Sequence, residues 1–281
     1  MLELVLILFS IIMSIALLNA FYQGTKKPDN TPSEYLKKKE KGNKSVIVFA
    51  GDSITHGRIG ENYIKFVSRE LNNSRFEFIN AGINGQLTWN LLQRLDEIIA
   101  CDPDVVTILI GTNDANDALT PKNRSRAIKR MNLPQEPDHA WFKSNLSKII
   151  RQLKTKTDSF IAILSIPTIG EDLDSTECKQ SRAYSITIKE LAQKHGVEYL
   201  ALHEEMEKYL EDNPSSPNYE YGDSYIEIAK GVLKRYLLRR SWDRIAEDSG
   251  FQLHADYLHL NSTGALMIAE LITELIQRHI S

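Results

Sequence analysis

"SVIVFAGDSITHG", Ser45 to Gly57, is the stretch on which the reading of this chain turns. Val46 to Ala50 is apolar and rich in β-branched residues, the composition of a buried strand. A glycine, an acid and a serine follow at once. Either a turn happens to contain a serine, or a hydroxyl is held at the end of a strand for chemistry. The surrounding sequence has to choose between them.

Outward from this stretch, short apolar strands alternate with amphipathic helices. Strands are expected at Phe76–Ile79, Val105–Ile110, Phe160–Ile166 and Val197–Leu202. Helices are expected at Glu61–Leu71, Gln86–Ile99, Trp141–Leu153, Cys178–His195, closed by Gly196, and Ser262–His279, capped by Asn261 or Ser262. Uniformly apolar strands between helices indicate a parallel sheet covered on both faces, an α/β class. Two segments fall outside this plan. Thr120–Asp138 is rich in Lys and Arg and reads as a loop or insertion. Asn213–Gly250 reads as an insertion carrying a strongly amphipathic helix, with Ile226, Val232 and Trp242 apolar and Lys230, Lys234 and Arg239 on its polar parts. That helix is either a solvated face on a packed element or a lid or lipid-facing surface.

The chain has 281 residues, 42% hydrophobic and 25% charged, an ordinary globular composition. Its net charge of −3 gives no basic field for nucleic acid. The two cysteines, Cys101 and Cys178, form no CxxC pair, so no cysteine-built metal site is expected. They read as buried thiols, or as a pair if the domain is exported.

Residues 1–22 contain an almost unbroken apolar run, Leu2–Tyr22, and about 20 such residues span a bilayer core. Three readings stand: a transmembrane anchor, a signal peptide cleaved after "LLNA" at Ala20, or a buried core helix. On the first two the domain is membrane-anchored or secreted. Lys26 and Lys27 favour a cytoplasmic side by the positive-inside rule, whereas translocated domains place it outside. Residues 23–45, rich in Lys, Pro, Asn and Gly, read as a linker, and 46–281 as the folded domain.

In a parallel sheet, ligands gather beyond the carboxyl ends of the strands. Gly51-Asp52-Ser53 follows the first strand, "NAGING" (Asn80–Gly85) the second, and Gly111-Thr112-Asn113-Asp114 the third. The late segment "HADYLHLN", His254–Asn261, supplies Asp256 and His259. These groups suit acyl transfer. A serine hydroxyl needs a base, and His259 serves near neutral pH. Asp256 can hold the imidazole in one tautomer. The oxyanion needs preorganised donors: the N–H of Ser53, the N–H of Gly85 and the amide of Asn113. "GDS" recurs at Gly222-Asp223-Ser224 with no apolar strand before it, and there it reads as a helix N-terminus. His56, His139, His195, His203 and His279 read as packed or surface residues, and His254 as a residue that could line the site.

The four stretches "FAGDSITHG", "NAGINGQ", "IGTND" and "DYLHLN" resemble, in order, the four blocks of the SGNH hydrolase family, also called GDSL esterases and lipases. The resemblance implies a three-layer α/β/α sandwich with a flavodoxin-like five-stranded parallel sheet, and ester hydrolysis without metal or cofactor. It implies Ser53 as nucleophile, His259 as base, Asp256 as its partner, and Ser53, Gly85 and Asn113 as the oxyanion hole. The expected substrate is a lipid acyl ester or a carbohydrate O-acetyl ester. A sugar or lipid O-acyltransferase and a noncatalytic binding module on the same fold are the alternatives.

Overall fold

The computed structural model describes residues 2–38, 42–71 and 74–279, with 2–5, 9, 223 and 224 described by backbone alone. Its five strands are β1 (Ser45–Gly51), β2 (Phe76–Gly82), β3 (Val105–Leu109), β4 (Phe160–Leu164) and β5 (Glu198–Leu200). All pair in parallel, in the order β2-β1-β3-β4-β5. This is the flavodoxin-like order, in which the chain reverses direction across the sheet beside β1 and β3.

Each strand feeds two cores because successive side chains point to opposite faces. Val46, Val48 and Ala50 of β1, with Val106, Ile108, Ile161 and Ile163, join one apolar cluster. Ile47 and Phe49, with Val105, Leu109, Ala162 and Leu164, join the other. Helices His139–Lys156 and Thr176–His195 cover the first face, through Phe142, Leu146, Ile149, Tyr184 and Ile188. Tyr63–Glu70, Leu202–Asp212 and Ser262–His279 cover the second, through Tyr63, Val67, Met206, Ile268 and Ile272. The result is a three-layer α/β/α sandwich.

Several elements differ from the sequence expectation. Gln86–Ile99 is two helices, Thr88–Gln93 and Leu95–Ala100, broken at Arg94. The Arg94 guanidinium donates to the carbonyls of Ala81 (2.6 Å) and Gly51 (3.3 Å), which bends the chain over two strand ends. Thr120–Asp138 is not a loop throughout, since Pro121–Met131 is a helix capped by Thr120 and ended by Asn132 at φ 51°. Its mostly polar surface hid the helical period. The expected Val197–Leu202 strand shortens to β5, and Leu202 opens a helix instead. The insertion carries two helices, Ser224–Tyr236 and Trp242–Ser249, separated by a turn with Arg239 at φ 56°. Ser224 does begin a helix. Both cysteines are buried and free.

After the N-terminal helix Leu2–Thr25, residues 30–38, within the stretch read as a linker, pack on the sheet edge and core. Asn30 accepts from the Asn80 N–H (2.8 Å) and donates its amide to the Phe78 carbonyl (2.6 Å), so it occupies the open edge of β2. The helix Pro32–Lys38 follows and buries Tyr35 against the first core.

Gly82 shows how closely the strand ends approach the next turn. A Cβ there would meet the backbone N of His56 at 2.2 Å. Gly82→Ala is therefore expected to cost about 1–3 kcal/mol, the usual range for overpacking, read as a lower urea midpoint at unchanged slope.

Candidate active site

Ser53 starts the four-residue helix Ser53–His56, immediately beyond the carboxyl end of β1. Asp52 caps this helix, its Oδ1 accepting from the Ile54 N–H at 3.0 Å, and Gly57 closes it at φ 69°. Gly51 has no room for a side chain, because a Cβ would lie 2.4 Å from the Leu109 carbonyl oxygen. Thr55 is pinned by Tyr63 (3.0 Å) and by the Asn80 amide, which donates to its carbonyl (2.9 Å). The hydroxyl of Ser53 thus projects from a braced strand-to-helix turn.

The second turn is tied to the first where the Ile83 N–H donates to the Gly51 carbonyl (3.3 Å). Gly85 sits at φ 73°, a left-handed conformation that glycine adopts without steric cost. Asn113 lies in the first turn of the helix Thr112–Ala118, and its amide donates to the Gln86 carbonyl (3.1 Å), beside Gly85. Asp114 locks the same junction from behind by accepting from the hydroxyl (2.6 Å) and N–H (3.0 Å) of Thr88.

The late loop returns to this edge. His259 Nε2 is 3.0 Å from Ser53 Oγ. On the other side of the ring, Nδ1 is 2.9 Å from Asp256 Oδ2. Asp256 Oδ1 accepts from the N–H groups of Leu258 (2.7 Å) and His259 (2.8 Å), which fixes the carboxylate. Ser53 is 7% exposed and His259 5%. The structure therefore joins Ser53, His259 and Asp256 in one hydrogen-bonded chain and sets Asn113 beside the Gly85 turn.

Four blocks in order, on this sheet, decide the family. The sequence matches the profile of the GDSL-like lipase/acylhydrolase family over residues 49–265. The chain belongs to this family. Among curated proteins no sequence relative matches it. Solved structures share the architecture. The acetyl xylan esterase AlAXEase is 20% identical with a TM-score of 0.60, covering 82% of this chain and 99% of its own. An acetylxylan esterase from Geobacillus stearothermophilus is 17% identical at a TM-score of 0.58, covering 84% of this chain and 95% of its own. The lipase/acylhydrolase from Enterococcus faecalis is 20% identical at 0.55, covering 84% and 97%. At such identities these likenesses show the fold, and the family match makes the chain a GDSL-type carboxylic ester hydrolase.

The other histidines of this GDSL hydrolase are engaged elsewhere. His139 stacks on Tyr184 (4.3 Å between ring centres) and His279 lies against Phe160 (4.0 Å). His195 pairs with Ser147 (2.8 Å), and His203 sits between Glu207 and the Ile166 carbonyl. His56 is buried beneath Gly82, and burial, with Arg58 nearby, pushes it down to about 4. His254 turns to Glu171 and Thr168 rather than to Ser53.

Two features escaped the sequence reading. Arg130, on the helix expected to be a loop, would lie 3.4 Å from a Cβ at Gly85 and pairs with buried Asp117 (2.7 Å). The basic run around it was the available signal. Glu171, in "TIGED" after β4, carried no signal beyond its place after a strand.

Burial dominates the electrostatics of the GDSL site. It opposes the charged form of His259, but the charge and hydrogen bond of Asp256, with Asp52 adding, more than offset it and hold the imidazole above its ordinary value. Burial likewise opposes charge on Asp256, yet His259 and the two backbone donors keep its carboxyl below the usual range. Asp52, with fewer donors, is pushed up to about 6 by burial, and Asp114 to about 7.

These shifts give a sign to the pH dependence. The raised His259 contributes stability that is complete below about pH 6.5 and fades as pH rises through its folded value. The lowered Asp256 contributes stability that is complete above about pH 3.9 and fades as pH falls. Asp256→Asn removes the charge that holds the imidazole up. NMR titration should then place the His259 pKa below its wild-type value; an unchanged value would contradict this account.

Proposed function

We propose that the chain is a membrane-anchored serine esterase that works through an acyl-serine intermediate. The 3.0 Å contact between Ser53 Oγ and His259 Nε2, continued to Asp256, carries the reading. His259 takes the Ser53 proton as the hydroxyl attacks the ester carbonyl, and Asp256 stabilises the imidazolium that forms. His259 then returns that proton to the leaving alkoxide. Water, activated by the same imidazole, cleaves the acyl-enzyme. The Ser53 and Gly85 N–H groups and the Asn113 amide are assigned to the oxyanion, where one such donor typically contributes about 2.7–4 kcal/mol.

The near-burial of Ser53 and His259 favours a small acyl group, such as the O-acetyl ester of a carbohydrate. Acetyl xylan esterases among the structural neighbours agree with that class. A lipid acyl ester is the second reading, favoured by the apolar N-terminal helix. Transfer of the acyl group to a sugar or lipid hydroxyl would use the same intermediate, and would appear as acceptor-dependent product at constant ester consumption.

For retention of the helix, Ala20 and Gly24 are buried, and the Gly24 carbonyl accepts from the Asn84 amide (3.0 Å), next to Gly85. Residues Leu6–Thr25 are long and apolar enough to cross a bilayer. The last turn of this anchor therefore belongs to the turn assigned to the oxyanion. Intact mass of the protein from the membrane fraction should include residues 1–20; a mature N-terminus at Phe21 would instead establish cleavage and the secreted form.

A fluorophosphonate probe should label Ser53, and labelling should vanish in Ser53→Ala but persist in Ser224→Ala. Absence of labelling in the wild type would favour the noncatalytic module. Asn113→Ala should lower kcat by about 10²–10³ with the fold intact. Across p-nitrophenyl esters, rates should be highest for acetate and fall with chain length. Preference for long chains would turn the assignment to lipid esters.

A further inference from the structure

Two fully buried ionisable side chains take no part in the Ser53–His259–Asp256 chain. Glu171 follows β4, His254 precedes Asp256, and both side chains are 0% exposed. Glu171 Oε2 accepts from the Gln252 N–H (2.8 Å). Its Oε1 accepts from the N–H groups of Leu253 (2.7 Å) and His254 (2.9 Å), and lies 2.9 Å from His254 Nδ1. On the far side of the ring, Nε2 is 2.9 Å from the Thr168 carbonyl oxygen. One carboxylate thus satisfies three consecutive backbone donors that have no sheet partner.

The ring geometry carries a chemical consequence. Carbonyl and carboxylate oxygens accept hydrogen bonds and do not donate them. Four donors on one carboxyl keep it ionised: burial opposes the charge, but His254 and the backbone donors overcome this and hold Glu171 below the usual carboxylate range. The His254 ring is therefore held from two sides, by the Glu171 carboxylate at Nδ1 and by the Thr168 carbonyl at Nε2, and removing either partner would leave a buried polar atom unpaired, which is costly.

The same pair sits at the base of the loop that bears the site. Leu253–His254 runs back against His259–Leu260, with the Ala255 N–H donating to the His259 carbonyl (2.7 Å) and the Asn261 N–H to the Leu253 carbonyl (3.0 Å). The Gly170 N–H donates to the Tyr257 carbonyl (2.9 Å), so the turn after β4 grips the loop on both sides of Asp256. We propose that Glu171 and His254 form a buried hydrogen-bonded clamp that positions Asp256 and His259 against Ser53, an inference that rests on the esterase reading. Both are positioning residues: they act through the loop, and touch neither Ser53 nor the reacting ester.

The first test is on the wild-type full-length protein. Histidine-selective ¹⁵N NMR should show a ring N–H signal of His254 that exchanges slowly with water, assigned by its loss in His254→Gln. Fast exchange of that N–H in the wild type would overturn the pair. The second test is kinetic. Glu171→Gln and His254→Gln should each lower kcat about 10–100-fold with KM within twofold, as expected for small displacement of a reacting group. The double variant should be no slower than the slower single, because both substitutions release the same clamp. Unchanged kcat in Glu171→Gln, or losses that multiply, would overturn the positioning role. If the variants fail to fold, the wild-type spectrum still decides the pair. A wild-type chain with no ester turnover would defeat the esterase reading, and the spectrum would then uphold or reject the hydrogen-bonded pair alone.

Discussion

The contact from Ser53 to His259 closes a loop of 206 residues, and the rest of the structure serves that closure. A hydrogen bond of this kind contributes on the order of 1 kcal/mol net, less than the entropy of bringing such distant groups together. The contact cannot therefore hold itself. The two apolar layers on either face of the sheet hold it, by setting β1 on one side and the helix Ser262–His279 on the other, and each residue sits within a few positions of those elements.

Parallel pairing explains why the strand-end turns gather. β1, β2 and β3 are adjacent and run the same way, so their carboxyl ends share an edge. The turns are then stitched by short bonds, Ile83 to Gly51 and Asn113 to Gln86, and by glycines that let backbone touch backbone. The price is a cluster of buried carboxyls. Where donors are plentiful, as at Asp256 and Glu171, the carboxyl stays ionised; where they are few, as at Asp52, burial raises it. Donor supply, rather than depth, separates these acids.

The N-terminal helix joins the same economy of contacts. Its final carbonyls lack partners within the helix, as at any helix C-terminus. One of them, on Gly24, is met by Asn84 from the turn at Gly85. Tyr236 on the neighbouring insertion helix donates to the Arg58 carbonyl (2.6 Å), just beyond the Ser53 helix. The N-terminal helix, the insertion and the turn at Ser53 thus form a continuous packed unit.

The sequence by itself determined the fold class, the strand-end turns and Ser53, Gly85, Asn113, Asp256 and His259 as candidates. Those signals are local: an apolar run says strand, and chemistry-bearing residues directly after it mark a turn. It could not show the break at Arg94, the helix at Pro121–Met131, or Asn30 on the edge of β2. Those depend on partners distant in the chain, the carbonyls of Gly51 and Ala81 for Arg94 and the Phe78 carbonyl for Asn30, or on capping that outweighs a weak apolar period. Only the tertiary structure decided that His254 faces Glu171 and His259 faces Ser53. Two histidines five residues apart look alike in sequence, and which oxygen each meets is set by how the loop is folded back on the sheet.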